Sequence, residues 1–154
     1  MQAETIDSFA VISANLSNLL IVGIMLARPK GWSRLEYFLG LINLILLIPF
    51  VFILCFNLVT GRDNWLAILP ALMVIFLLLE GLLDYVLKLP FRQSRWIWGY
   101  LLLFYLAQWA MIGYAFLVEP IMGFFTLLTY FLSLGATAYS YAKVGHGDRV
   151  DPGV

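Results

Sequence analysis

The sequence predicts an all-α fold. It reads as a polytopic membrane protein, a five-transmembrane-helix antiparallel bundle with its N-terminus outside and its C-terminus cytoplasmic. Three observations carry this. Of the 154 residues, 63% are hydrophobic and only 12% charged, where a soluble domain has about 25% charged. Apolar runs of the roughly 20 residues needed to cross a bilayer recur along the whole chain and leave no room for a soluble domain. Basic residues are distributed unequally between the turns that separate these runs.

The first span is read over residues 8–27. The preceding MQAETIDSF is acidic, unlike the basic start of a cleaved secretory signal, so the span is expected to be retained. Its first half is polar, with Ser8, Ser13, Asn15, Ser17 and Asn18. Asn15 and Asn18 share a helix face with Val11, Val22 and Met25, and that face is expected to meet other helices. Pro29 stops the span, and Arg28, Lys30 and Arg34 make the following connection basic.

The second span is read over 35–60. Ser33 and Glu36 have the spacing of a capping box. Asn43 lies two turns further along the same face. Pro49, near mid-span, removes one backbone hydrogen bond and predicts a kink. Gly61–Asn64 forms a polar turn in which Asp63 can cap the third span, 65–89. That span contains LLLEGLLDYVLKLPFR, with Glu80 and Asp84 four residues apart and Pro90 at its end. An acid inside a span costs a few kcal/mol unless paired, protonated or hydrated, and often marks a functional site.

The fourth span, 95–118, is dense in aromatics. Trp96, Trp98 and Tyr100 fit an interfacial belt, while Tyr105, Gln108 and Trp109 share a face read as inward. Pro120 suits the first helical position of the fifth span, 120–142. There Thr126, Thr129, Tyr130, Ser133, Thr137 and Ser140 form a polar stripe of the kind that packs helices closely. Residues 143–154 read as a polar cytoplasmic tail in which His146 is solvated. With the N-terminus outside, eight of the nine basic residues fall on the cytoplasmic side and only Arg62 falls outside.

Zero net charge gives no signal for nucleic acid as a partner. One cysteine excludes an internal disulfide, and Cys55 reads as a small buried apolar side chain. One histidine and one cysteine cannot build a zinc site or a bis-histidine haem site, so no cofactor and no metal are expected.

Alternating the spans brings polar groups together in the inner half of the bilayer. The candidate ligand-binding residues are Glu80 and Asp84, with Asn15, Asn18, Asn43, Tyr105, Gln108, Trp109, Ser133 and Thr137 around them. Two accounts of this layer compete. In one it is a satisfied polar core, with Asp84 paired to Lys88 at i,i+4 and Glu80 bonded to amides and hydroxyls. In the other, Glu80 and Asp84 floor a cavity for a cation, a proton or a lipophilic ligand. Two acids in one span exceed what helix register requires, which favours the second account. The function expected is binding or transport of a small cationic or lipophilic ligand, coupled to protons. The alternatives are an accessory subunit of a larger membrane complex, and an intramembrane lipid- or sterol-modifying enzyme using Glu80 and Asp84 as acid and base. No serine or cysteine has a base available and no Glu-x-x-His pair is present, which leans away from catalysis. The partners implied are the bilayer and the small molecule, with a homo-oligomer or a larger complex as the further arrangement.

Overall fold

The computed structural model describes residues 3–89 and 94–145. Five helices are long and apolar enough to cross a membrane: Ala3–Lys30, Ser33–Val59, Asn64–Val86, Ile97–Val118 and Pro120–Val144. The first comprises α1 (Ala3–Ala27) and a tight turn, Arg28–Lys30. Gly31 ends it in the left-handed region, at φ 67°, where an L side chain would be strained. The helix starts five residues earlier than read from hydropathy, because Asp7 is buried in the bundle rather than left in water.

The second span is two helices, α2 (Ser33–Ile45) and α3 (Leu47–Val59). The break falls at Leu46, three residues before Pro49. Proline has no N–H to offer the carbonyl of Ile45, and the chain tightens there, Leu46 N donating to Asn43 O at 3.2 Å. The third span is α4 (Asn64–Glu80), capped by Asp63, whose carboxylate accepts from Trp65 N at 2.9 Å as predicted. Directly after Glu80 the helix widens into a π-helical stretch, Gly81–Val86. Lys88 then adopts φ 49°, so the regular helix that would set Asp84 and Lys88 at i,i+4 does not extend to Lys88. The helical part of this span ends three residues short of the expected 89. Then come α5 (Ile97–Val118) and α6 (Pro120–Val144), with Pro120 at the helix start as expected. Arg92, His146 and Arg149 lie outside the described residues.

Consecutive spans alternate in direction. Arg28, at the end of the first span, meets Glu36 at the start of the second, while Asp7 meets Arg62 and Tyr114 at the other end. α1 packs on α2 and α6, α4 on α3 and α5, and α5 on α6. The first and last helices are therefore neighbours, and they run parallel. Ile6, Phe50, Ile53, Met73, Leu77, Met111 and Tyr114 fill the core, while Ile48, Val59, Leu102, Ile121 and Phe124 cover the outside with apolar surface. Cys55 is among the exposed residues, contrary to the buried reading, because it lies on the outward side of α3.

The α5–α6 hairpin packs closely near its turn. A Cβ at Gly123 would overlap the ring of Phe116, whereas one at Gly135 would meet nothing within 4 Å. Gly123→Ala is expected to lower stability by about 1–3 kcal/mol through overpacking. Gly135→Ala should be neutral or stabilising. Thermal melts of the two purified variants in one detergent check the contrast.

Candidate functional site

Three polar groupings occupy the bundle interior. The first joins α1 to α6. Asn15 Nδ2 donates to Thr126 Oγ1 at 3.0 Å and to Val11 O at 2.8 Å. Thr129 Oγ1 donates to Asn15 Oδ1 at 2.7 Å and accepts from Asn18 Nδ2 at 3.0 Å. Ser17 Oγ donates to Asn43 Oδ1 at 2.7 Å and ties α1 to α2 in the same way. Lower on α6, Ser133 and Thr137 donate to the carbonyls of Tyr130 and Ser133. Asn15, Asn43 and the Nδ2 of Asn18 thus join helices, as in the polar-core account, while Asn18 Oδ1 is left over. A double-mutant cycle on Asn15→Leu and Thr129→Val should return a coupling of about 0.6 kcal/mol, the average for hydrogen bonds between membrane helices, and no more than about 1.7 kcal/mol.

The second grouping lies at the Asp7 end. Arg62 reaches back to grip Asp7 with both terminal nitrogens, Nη1 to Oδ1 and Nη2 to Oδ2, each at 2.8 Å. Tyr114 OH donates to Asp7 Oδ1 at 2.7 Å, and Arg62 Nη1 also donates to Asn57 Oδ1 at 3.0 Å. Asn57 Nδ2 in turn donates to Leu66 O at 2.6 Å. The hydrogen bond to Asp7, more than any other influence, holds the Arg62 guanidinium above its ordinary pKa. A raised value for a base means its contribution is complete below the unfolded pKa and is lost only as pH rises through the folded one. Arg62 is therefore fully charged at neutral pH, and its contribution to the clamp does not vary there. Sequence reading treats Asp7 and Arg62 as separate solvent-side charges. The signal that could have joined them is that both fall at one end of the bundle. Arg62→Met would strand a carboxylate whose side chain is only 10% exposed and should cost roughly 3 kcal/mol. The loss should appear in thermal melts at pH 8, where Arg62 of the wild type is fully charged.

The third grouping is at the opposite end. A cavity of about 50 Å³ lies between α1, α4, α5 and α6, with Glu80, Arg28, Tyr105 and Thr137 on its wall. Phe76, Tyr100, Phe104 and Tyr141 complete an aromatic side. Three of these contacts run ring to ring: Phe76–Tyr100 at 5.7 Å, Phe76–Phe104 at 5.3 Å and Phe104–Tyr105 at 5.2 Å. Glu80 is 7% exposed and is the last residue of α4 before the winding changes. Arg28 Nε and Nη2 both donate to Glu36 Oε1, at 3.0 and 2.7 Å. Glu36 is therefore not part of a capping box: no side chain caps α2, and the buried carboxylate takes the stronger, charged partner.

Of the ten candidate residues, the cavity brings together Glu80, Tyr105 and Thr137. Asp84 sits part-exposed on the π-helical stretch and does not line it. Gln108 and Ser133 are buried, as expected, but lie away from the cavity; among the described residues Gln108 Nε2 donates no hydrogen bond and Asn18 Oδ1 accepts none. Trp109 is corrected: it is 67% exposed and points outward. The outward position costs it no hydrogen bond, since its indole N–H still reaches Tyr130 OH at 3.2 Å. Glu80, Asp84, Lys88, Tyr100 and Tyr141 all have further interaction partners. A larger groove of about 500 Å³, lined by Ile6, Phe9, Ile12 and Phe52, has no charged side chain on its wall. Among the described residues no group of three His, Cys, Asp or Glu could hold a metal ion. No family model, curated protein or solved structure matches this chain.

Proposed function

We propose that this multi-pass membrane protein binds a small cationic or lipophilic ligand at Glu80 and exchanges it across the membrane against a proton. The observation that carries the reading is a buried carboxylate on the wall of a cavity. A structural acid in a span is expected to be packed around, whereas this one borders open space. The distribution of basic residues favours an N-terminus outside, and on that reading the Glu80 cavity opens in the cytoplasmic half.

The chemistry needs only one group. A carboxylate can hold a proton or pair with a cation, and exchanging one for the other keeps the buried site neutral. A neutral lipophilic guest would meet the protonated form. Exchange rather than static binding is supported by irregular backbone in two spans, linked through one side chain. Gly81, the first residue of the π-helical stretch, packs on Leu44, two residues before the break at Leu46. Irregular backbone at membrane depth is tolerated where protein or a cavity surrounds it, and π-helical turns recur at functional sites. A subunit of a larger complex would be favoured by mid-span polar side chains facing outward. The mid-span residues Asn15, Asn18, Asn43, Gln108, Thr129 and Ser133 are all buried in the single chain.

Glu80→Gln keeps the shape of the side chain and removes its titratable proton. The variant is expected to purify and melt like the wild type. Native mass spectrometry should then show a small-molecule adduct that the wild type carries and Glu80→Gln has lost. The same adduct at the same occupancy on both proteins would rule out Glu80 as the site.

A further inference from the structure

We infer that the guest at Glu80 is an alkylammonium amphiphile, a compact ammonium head with an apolar tail that leaves the cavity along α5 and α6. This rests on the reading of Glu80 as a binding site and narrows the class of ligand.

The wall sets the sign of the guest. Aromatic faces carry negative potential, and a ring cluster beside a carboxylate is the arrangement that recognises an ammonium ion. Phe76, Phe104 and Tyr105 form one continuous series of ring contacts on that wall. The guanidinium of Arg28 is matched by Glu36, which receives two of its N–H groups on one oxygen. Glu80 needs no vacancy in its own bonding, because a carboxylate has about four acceptor sites and can add a guest to the partners it already has.

The dimensions set the size. A cavity of about 50 Å³ exceeds the ~10–15 Å³ that admits a water and falls well short of the ~300 Å³ of a drug-sized pocket. It holds a head group of a few heavy atoms, not a fused-ring body. A bare metal ion is disfavoured by the same wall: hard cations take about six oxygen ligands, and most of these side chains offer carbon. The tail has a route. Leu101, Tyr105 and Tyr141 at the rim are only half-buried, and Leu102 and Leu106 beyond them are exposed and apolar.

The test uses the full chain in an uncharged maltoside detergent, with calorimetric titration of dodecyltrimethylammonium and of dodecanol, which share a tail and differ in head. The ammonium should bind at least tenfold more tightly than the alcohol, and Glu80→Gln should abolish that preference. Tyr105→Leu, which keeps apolar volume at a half-exposed position, should weaken the ammonium about 2- to 30-fold more than the alcohol, the span of a cation–π contact. It also carries the test if Glu80→Gln does not fold. If both probes bind equally in the wild type and both are lost in Glu80→Gln, the site stands and the ammonium class is wrong. An unchanged ammonium affinity in Tyr105→Leu likewise overturns the class. If neither probe binds in a way that depends on Glu80, the binding site itself falls.

Discussion

An amide or hydroxyl inside hydrocarbon has no water to turn to, so its partner must come from the protein. This constraint arranges the bundle. The amides of α1 meet the threonines of α6, Asn15 with Thr126 and Thr129, and Asn18 with Thr129. Two rungs one helical turn apart fix both the register of the two helices and their parallel direction. The rest follows by rigid extension. With the middle of α1 pinned to the middle of α6, Asp7 is delivered to the end where Arg62 and Tyr114 lie. Arg28 is delivered to the end where Thr137, Tyr141 and Glu80 lie.

The two ends are then finished differently. At the Asp7 end both oxygens of the carboxylate are engaged, the guanidinium spans Asp7 and Asn57, and a tyrosine closes over the pair. At the Arg28 end the charges are also paired, but the space beside them is not filled. Rings stand around it instead of crossing it. The irregular winding after Glu80 lies at this hollow end, next to the broken second span. One half of the molecule is closed by paired charges, and the other keeps a cavity beside irregular backbone.

Much of this architecture is legible in the chain. The five spans follow from hydropathy, the cap at Asp63 and the start at Pro120 from local chemistry, and the polar faces of Asn15, Asn18 and Thr129 from helical spacing. What escapes does so for physical reasons. Asp7 with Arg62, and Arg28 with Glu36, are contacts between span ends, where sequence spacing carries no information about which charge meets which. Local rules even mislead there, since a capping-box pattern at Ser33–Glu36 gives way to a buried guanidinium. Depth along the membrane places Asn43, Ser133 and Thr137 near Glu80, but rotation about each helix axis decides which of them reaches it, and depth says nothing about rotation. Trp109 fails for that reason: it lies at the right depth on the wrong side. The widened turn after Glu80 has no sequence signature of its own.

The pairing of the first helix with the last also has a consequence in time. Asn15 and Thr126 are 111 residues apart. At the ~5–20 residues per second of synthesis this is an interval of about 6–22 s. Throughout it the amides of α1 are in the membrane without the hydroxyls that will receive them. Over that interval α1 precedes the helix that completes its hydrogen bonds, and the α1–α6 contact closes only once α6 has been made. The α1–α6 contact thus waits on the synthesis of α6, and a chain cut short before α6 would have no threonine partner for Asn15 and the Nδ2 of Asn18.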